Sequence, residues 1–318
     1  MVVNNPIDFD LGLVNDIRIN RSAVEVRVQT LGTRRTFKVE AQAAAYLRVI
    51  QCIDDTTLLG SDTPGCVERL CAKALNPVSR EILEKLGIPD FSLTVGAVCV
   101  YPAMVKTAIS FLGGRIPVAL VATGFPAGQL PTFLKIREIE YAIECGAKEI
   151  DVVISRGLAL QGKWRKVYEE IRIFREVCGD KAKMKTILGV GDLKTLENVA
   201  KAAVVAIMAG SDFIKTSTGF EPTNATLEAG LVMVRQIRGF FQLPFPRNKI
   251  VGFKPAGGIK TAKDAMLWLI LMLEELGEDW AKPDFFRIGA SSLLNDLERQ
   301  LYHLATGRYS AEHHHPMG

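Results

Sequence analysis

The stretch "MKTILGVGDLKTLENVAKAAVVAIMAGSDFIKTS", residues 184–217, contains two short apolar runs on either side of a longer alanine-rich segment. The runs at 184–188 and 212–217 have the apolar and β-branched composition of buried strands. The segment at 193–211 is long enough for a helix, and Gly210 stands where a helix C-terminal glycine is expected. Because parallel strands need a crossover of this kind, the stretch predicts a strand–helix–strand unit.

The same alternation extends along most of the chain. Eight runs read as strands, at 49–54, 93–100, 116–123, 149–154, 184–188, 212–217, 250–254 and 285–290, and amphipathic helical segments separate most of them. Eight is the closing number of the barrel whose strands alternate with helices, and about 250 residues is its usual size. The pattern predicts an α/β protein, a (β/α)8 TIM barrel with an N-terminal helical extension. A doubly wound open sheet is the alternative.

The strand runs also divide the chain. Residues 49–309 are predicted to form the barrel. Residues 1–48 are predicted to be an extension packed on it, and the helix-like pattern "VEAQAAAYLRVI" at 39–50 begins near their end and overlaps the first barrel run. Residues 310–318 form a predicted C-terminal tail.

Composition excludes several classes of protein. The chain of 318 residues is 48% hydrophobic and 23% charged, as in soluble globular proteins. Its net charge of +4 comes from dispersed basic residues, which does not indicate nucleic-acid binding. No apolar run is long enough to span a membrane, and the polar start predicts no secretory signal. Six scattered cysteines without a CxxC pair indicate reduced thiols in a cytoplasmic protein, with neither disulfides nor a zinc site.

Histidine, the usual acid–base residue near neutral pH, is scarce. Three of the four histidines are consecutive at 313–315, and the fourth is His303. The triplet is interpreted as part of a solvated tail rather than as a metal contact. Proton transfer is therefore expected from carboxylates, lysines, cysteines or tyrosines.

Lysines interrupt three consecutive predicted strands. Lys185, Lys215 and Lys254 each stand within or at the end of an apolar run, and Asp151 lies in the run before them. One such lysine alone is as readily a side chain that reaches out to water. Three on neighbouring strands are expected to converge in the barrel lumen, where burial and mutual repulsion lower lysine pKa values. A partly neutral lysine can attack a carbonyl and form a Schiff base, with Asp151 moving protons. No metal-binding set is visible and no cofactor is needed, so the pattern predicts carbonyl chemistry through an iminium.

Two small-residue loops follow the last two predicted strands. "AGG" at 256–258 and "GASS" at 289–292 each precede a helical segment and offer backbone N–H groups. Loops in these positions of a barrel commonly bind phosphate at a helix N-terminus. The pair therefore predicts a phosphorylated substrate.

Six segments carry a resemblance to a known family. "DDTTL", "AVCVYP", "EIDVVI", "DFIKTSTG", "GFKPAGGI" and "RIGASSLL" resemble the signature segments of the deoxyribose-phosphate aldolases, which are class I aldolase barrels. The resemblance covers about residues 46–309, and the extension resembles that of the longer, animal-type members. It implies reversible cleavage of 2-deoxy-D-ribose 5-phosphate to D-glyceraldehyde 3-phosphate and acetaldehyde. It implies small-molecule partners, and it leaves room for a homo-oligomer.

The resemblance also implies roles for residues at matching positions. Lys215 matches the Schiff-base lysine, Lys254 the second lysine that perturbs it, Asp151 the proton-relay carboxylate and Lys185 a supporting lysine. Further matches are expected to bind substrate or its phosphate: Asp54, Cys99, Thr216, Gly219, Gly257, Gly258, Ser291 and Ser292.

The chain departs from the family pattern at three positions. Phe220 replaces a common lysine that can reach the phosphate, a charge that Lys260 could partly supply. Asp55 stands where leucine is usual, and Ser155 replaces a common asparagine. Two alternatives follow: another Schiff-base aldolase with an altered phosphate or acceptor preference, or an impaired barrel that serves as a binding scaffold through its extension.

Overall fold

Eight parallel strands form a barrel in the computed structural model of the chain, which describes residues 3–33, 37–244, 251–311 and 315. The first seven strands each pair with their sequence neighbours, and the eighth pairs with the first. Isolated bridges between Phe253 and Phe286 and between Ala256 and Gly289 close the barrel between the seventh strand and the eighth. The barrel prediction is confirmed, and the open-sheet alternative is wrong. The strands are β1 Ile53–Thr56, β2 Ala97–Val100, β3 Val118–Ala122, β4 Glu149–Val153, β5 Lys183–Ile187, β6 Phe213–Lys215, β7 Gly252–Lys254 and β8 Ile288–Ala290.

Helices surround the barrel and precede its first strand. None of those in the described ranges is long and apolar enough to cross a membrane. Two short 3-10 turns lie at Pro102–Met104 and Glu278–Trp280. The helices are α1 Leu11–Asn15, α2 Arg21–Thr33, α3 Val39–Gln51, α4 Pro64–Leu75, α5 Arg80–Lys85, α6 Val105–Leu112, α7 Thr132–Glu144, α8 Arg156–Leu160, α9 Trp164–Cys178, α10 Leu196–Met208, α11 Leu227–Phe241, α12 Ala262–Glu275 and α13 Leu293–Thr306.

The start of the first strand differs from the prediction. The run at 49–54 was expected to be a strand, but α3 continues to Gln51 and β1 begins at Ile53. Residues 49–51 extend the amphipathic pattern of the preceding helix, so their apolar character serves helix packing rather than a sheet. The predicted boundary after residue 48 therefore falls inside a continuous helix.

Alternate strand residues face the lumen and the helices. Ile150 and Val152 of β4 pack in the main core beneath the helices, whereas Glu149 and Asp151 face inward. In β2, Val98 and Val100 face outward in the same way, while Cys99 belongs to a small separate cluster in the lumen. This two-residue period is the geometry of a strand. It divides the interior into an apolar outer layer and a lumen that carries charge.

The N-terminal extension is tied to the barrel by polar contacts. Buried Asn4 donates through its side-chain nitrogen to the carbonyls of Ile207, at 3.1 Å, and Ser211, at 2.9 Å. Its backbone N–H donates to Asp212 at 2.6 Å. Farther along, Arg27 of α2 contacts Glu275 of α12 at 2.9 Å. The extension thus covers the outer helices α10 and α12.

Part of the predicted tail lies outside the described residues, including His313 and His314. His315 is described, and its ring is buried rather than solvated, with Nδ1 3.3 Å from Glu298. The interpretation of a solvated tail is therefore wrong for this residue. The buried Glu298 carboxylate, which also pairs with Lys73 at 2.5 Å, gives the imidazole a polar partner under the barrel's outer helices.

We expect Asn4→Ala to lower the free energy of unfolding by about 1–3 kcal/mol, because the carbonyls of Ile207 and Ser211 each lose a buried hydrogen bond. Urea unfolding of both proteins measures the difference. Asn295→Ala is the matched control, because Asn295 is exposed on α13 and should change stability by no more than about 0.5 kcal/mol. Equal effects of the two substitutions would mean that Asn4 contributes nothing to docking the extension.

Asp55 faces outward from β1 and is buried, and burial raises the pKa of its carboxyl to about 7 despite the nearby Lys73 ammonium. The unfolded carboxyl titrates near 3.9, so this residue's contribution to stability is complete below that pH and is lost as pH rises toward 7. Asp55→Leu should therefore gain about 2–3 kcal/mol over the native protein between pH 5 and pH 8, at 1.36 kcal/mol per pKa unit. Unfolding curves at both pH values measure it.

Asp55→Asn provides the control for this titration, since it removes the ionisable group and nearly keeps the shape. It should show the same pH-dependent difference as the leucine variant. If the difference in free energy of unfolding between each variant and the native protein stays constant across this pH range, the effect of the substitution comes from packing and not from ionisation of Asp55.

Candidate active site

Charged side chains from five strands meet in the lumen. Asp54 of β1, Asp151 of β4 and Lys185 of β5 lie in the middle, and Lys215 and Lys254 end β6 and β7. The sheet register pairs Asp151 with Lys185 and Lys215 with Lys254, so these residues lie side by side across neighbouring strands. Each is at least 97% buried. The predicted convergence of the three lysines is therefore present in the structure.

The Asp151 carboxylate lies at the centre of the lysines. Its Oδ2 atom accepts from Lys215 Nζ at 2.7 Å and from Lys254 Nζ at 2.8 Å. Lys185 Nζ lies 3.3 Å from the other oxygen, Oδ1. One carboxylate oxygen thus connects the two lysines at the strand ends, and this fixes the spacing of their nitrogens.

A second group of charges lies deeper in the lumen. Asp54 accepts from Lys185 at 3.0 Å and from Arg287 at 2.6 Å, and it also contacts Lys254. Glu149 pairs with Lys185 and accepts from Arg287 at 2.9 Å. In the part of the chain that the structure describes, no cluster of histidine, cysteine or acidic residues is arranged to hold a metal ion.

Sequence reasoning missed Arg287 and Glu149. Glu149 stands two residues before Asp151, and Arg287 two residues before Gly289, a lumen-facing position of β8. Since residues two apart share a face of a strand, the same periodicity that selected the lysines could have selected both.

Charge counting separates Lys215 from the other lysines. Among the described residues, the lumen contains four basic groups, from Lys185, Lys215, Lys254 and Arg287, against the three carboxylates of Asp54, Glu149 and Asp151. Full ionisation would leave one excess positive charge in a buried site. Such an excess is costly, so one lysine is expected to release its proton most readily.

The pKa shifts follow that imbalance. Burial lowers the pKa of Lys215, opposed by Asp151 and reinforced by the positive charge of Lys254. Burial also acts on Lys254 and Lys185, but their carboxylate partners outweigh it and raise both pKa values. Burial and the repulsion between neighbouring lysines therefore prevail at Lys215 but not at these two residues. The reason is that Asp54 contacts both of them.

The pKa of Asp151 is lowered well below its usual value. Burial acts in the opposite direction, but the positive charges of Lys185, Lys215 and Lys254 outweigh it. Asp151 is therefore ionised throughout the neutral pH range, and it can accept a proton but has none to donate.

A cavity of about 320 Å³ opens above Lys215 at the carboxyl ends of the strands. Four loops surround it, which follow β1, β6, β7 and β8. Lys254, Asp151, Lys185 and Asp54 lie below it in the lumen. Its lining includes Lys215 and the predicted substrate-binding residues Gly219, Gly257, Gly258, Ser291 and Ser292, together with Thr56, Thr57, Leu58, Leu59, Phe220, Ala256, Ile259, Lys260, Gly289 and Ala290.

Two other predicted substrate-binding residues lie away from the cavity lining. The Thr216 hydroxyl is buried and bonds to the backbone of Ala256, donating to its carbonyl at 3.3 Å and accepting from its N–H at 3.0 Å. Cys99 is buried in the apolar lumen cluster beside Ala97 and Val121, and burial raises the pKa of its thiol. In the structure, Thr216 therefore holds the loop after β7 in place. Cys99 lies on an uncharged part of the lumen wall.

Aromatic rings form one wall beside Lys215. Phe220 is 54% exposed and meets the Phe125 ring edge to face, with ring centroids 5.7 Å apart. Tyr101 also meets the Phe125 ring edge to face, with ring centroids 5.8 Å apart. The Lys215 ammonium lies 6.0 Å from the centroid of the Phe125 ring. Phe220, where the family resemblance predicts a lysine, thus adds its ring to an apolar surface that borders the cavity.

The loop that carries Phe220 is held from below by Glu221. Its buried carboxylate accepts from the N–H groups of Thr218, at 3.0 Å, and Gly219, at 3.2 Å, and it lies 3.3 Å from Arg156. Gly219 adopts a φ of 96°, a backbone conformation that favours glycine. These contacts fix the position of the loop next to Lys215.

Comparison with known proteins agrees with this architecture. Residues 48–299 match the DeoC/LacD family aldolase. Deoxyribose-phosphate aldolase from Homo sapiens is 51% identical over 317 residues, which cover 99% of this chain and 98% of the human protein. The Bos taurus enzyme of the same name is 52% identical and covers 98% of this chain and 97% of its own length.

Solved structures share the fold. The aldolase QR15 superposes with a TM-score of 0.63 at 29% identity, covering 80% of this chain and 96% of its own. A deoxyribose phosphate aldolase from Aeropyrum pernix, at 22% identity, has a TM-score of 0.60 and covers 85% of this chain and 98% of its own. With a family match over most of its length and relatives more than half identical, this chain belongs to the DeoC/LacD family of aldolases.

Proposed function

We propose that the protein catalyses the reversible cleavage of 2-deoxy-D-ribose 5-phosphate to D-glyceraldehyde 3-phosphate and acetaldehyde through a Schiff base on Lys215. The position of Lys215 is the observation that supports this assignment most strongly. Of the three lumen lysines it is the one that reaches the cavity, and it is the one whose pKa is lowered. The names of the similar animal enzymes support the choice of substrate.

The reaction begins with neutral Lys215. Its nitrogen attacks the C1 aldehyde carbon, a C–N bond forms, and the carbonyl oxygen takes up a proton. The carbinolamine then loses water to give a protonated imine. Lys254 is the proposed proton donor at this stage, because its raised pKa keeps it charged and Asp151 connects it to Lys215.

Carbon–carbon cleavage uses the imine as the electron acceptor. A base removes the proton of the C3 hydroxyl, the C2–C3 bond breaks, and its electron pair forms an enamine on Lys215. D-glyceraldehyde 3-phosphate leaves in this step. Protonation of the enamine at C2 and hydrolysis then release acetaldehyde and return free Lys215. Asp151, ionised and shared by both lysines, is the proposed relay for these protons.

Two loops that line the cavity are the proposed phosphate site. Gly257 and Gly258 each adopt a φ of 84°, which favours glycine and turns the loop after β7. Ser291 and Ser292 precede α13, a helix of 14 residues whose N-terminus favours a negative charge. Lys260 is exposed on the same side of the cavity and adds a positive charge.

The proposal extends to the setting of the enzyme. Phosphorylated sugars and small aldehydes are its proposed partners, with no nucleic acid, and the dispersed basic residues support this. All six cysteines are free thiols, and this supports the proposal of a cytoplasmic location. A homo-oligomer stays a prediction.

The first test traps the Schiff base. Sodium borohydride added with acetaldehyde should reduce the imine and attach an ethyl group to Lys215 and to no other lysine, as read by peptide mass spectrometry. Lys215→Arg, which keeps the charge but cannot form an imine, should remain unlabelled. A label on Lys254 or Lys185 would reverse the assigned roles, and an unlabelled native protein would favour the binding-scaffold alternative.

The second test concerns Phe220, which lines the cavity near the proposed phosphate site. Phe220→Lys should lower the KM for 2-deoxyribose 5-phosphate by about tenfold, the low end of a charge-assisted contact, because Lys260 already supplies part of it. The KM for unphosphorylated 2-deoxyribose should stay nearly unchanged. Steady-state kinetics with both sugars measures the two effects.

Phe133→Lys is the matched control for this substitution. Phe133 is 65% exposed on α7, so it gains the same charge away from the cavity, and neither KM should change. An equal change with both sugars, or none in the Phe220 variant, would show that position 220 does not approach the phosphate.

A further inference from the structure

Two lumen charges lie beneath the proposed catalytic groups and away from the cavity. Arg287 precedes β8 and Glu149 begins β4, and they are 4% and 2% exposed. Neither lines the cavity, so neither is placed to touch substrate. A buried charged pair is costly to desolvate and often adds little to the stability of the fold. The presence of Arg287 and Glu149 in the lumen therefore needs an explanation other than stability.

Arg287 is held on several sides. Its Nη2 atom donates to Glu149 Oε1 at 2.9 Å, and Nη1 donates to Glu149 Oε2 at 3.2 Å and to Asp54 Oδ1 at 2.6 Å. Its Nε donates to the Pro283 carbonyl at 2.5 Å. Cys52 also faces the guanidinium, and burial raises the pKa of its thiol to about 12, so it stays neutral. The orientation of Arg287 is therefore fixed.

Shared carboxylates connect Arg287 to Lys215. Asp54 contacts Arg287 through Oδ1, and Lys254 through Oδ2. Lys254 in turn shares Asp151 Oδ2 with Lys215. Each connection is a charge-assisted hydrogen bond between buried groups, in surroundings where charges are weakly screened.

Among the described residues, three titratable groups act most strongly on Lys215. They are Asp151 of β4, Lys254 of β7 and the neutral thiol of Cys99 on β2. Beyond them lie Lys185 and Asp54, and then Arg287 and Glu149. Four basic groups face three carboxylates, so the lumen has one excess positive charge, which Lys215 removes when it releases its proton. Any change in the number of buried charges alters this excess.

We propose that Arg287 and Glu149 are positioning residues that fix the charge excess of the lumen and thereby decide how readily Lys215 becomes neutral. Arg287 supplies the fourth positive charge, and Glu149 limits the excess to one. The pair acts through Asp54, Lys185 and Lys254 rather than on the substrate. This inference rests on the proposed role of Lys215 as the nucleophile.

The test follows kcat/KM against pH for cleavage of 2-deoxyribose 5-phosphate, whose acidic limb reports the free enzyme. Arg287→Met removes a positive charge, so Lys215 should hold its proton more firmly and the midpoint should move up by roughly one pH unit. Glu149→Gln removes a negative charge, so the midpoint should move down by a similar amount. The substrate phosphate titrates identically for every variant, so differences between variants belong to the protein.

The double variant separates charge counting from structural damage. Arg287→Met with Glu149→Gln leaves three basic groups against two carboxylates, the same excess as in the native chain. Its midpoint should return to within about 0.3 pH units of the native value, a small part of the shift that one nearby charge produces. Arg287→Lys, which keeps the charge, should also leave the midpoint in place.

Shifts in the same direction for both single variants, or a double variant displaced further than either, would overturn the proposal, as would unchanged midpoints. If one single variant does not fold, the other and the double variant still give the sign of the shift. Borohydride labelling of Lys215 in the native protein is run alongside. Its failure would refute the proposed nucleophile, whereas intact labelling with unshifted midpoints refutes the role of Arg287 and Glu149 alone.

Discussion

One oxygen of Asp151 accepts hydrogen bonds from two lysines, and the rest of the site depends on this sharing. Two ammonium groups within bonding distance of the same atom repel each other, and the carboxylate holds them there. Lys254 keeps its charge because Asp54 also binds it, whereas Lys215 contacts no second carboxylate among the residues that the structure describes. The difference between two chemically identical side chains therefore comes from their neighbours.

A lumen containing seven charged groups is a poor way to stabilise a barrel. Buried ions lose their hydration, and apolar residues of similar volume often stabilise a core as well or better. The outer layer of the sheet compensates, since the outward residues of the strands pack with the helices in a continuous apolar core. The fold thus separates the two tasks by strand periodicity: one face of each strand stabilises the barrel, and the other holds the reactive groups.

Local sequence pattern predicts the barrel and the lysines because both follow from short-range rules. An apolar run with one lysine at Lys215 or Lys254 is visible without knowing the neighbours of that strand. The pairing of charges is not, because the contact of Asp54 with Lys254 joins residues 200 positions apart in sequence. This is why the sequence predicts the effect of burial and repulsion on the lysines, but not that carboxylates raise the pKa values of Lys185 and Lys254. The start of β1 was misplaced for a related reason, since a short apolar run suits a buried helix end as well as a strand.

The continuity of α3 with β1 determines how the extension can move. The helix ends at Gln51 and the strand begins at Ile53, one residue before Asp54, which binds Lys254 and Arg287. Opening of the last turn of α3 would therefore pull on a carboxylate of the lumen. Neighbouring segments of this kind often open together as one cooperative unit. We therefore expect the amide hydrogens at the end of α3 to exchange at rates close to those of β1, so that the last turn of this helix behaves as part of the barrel.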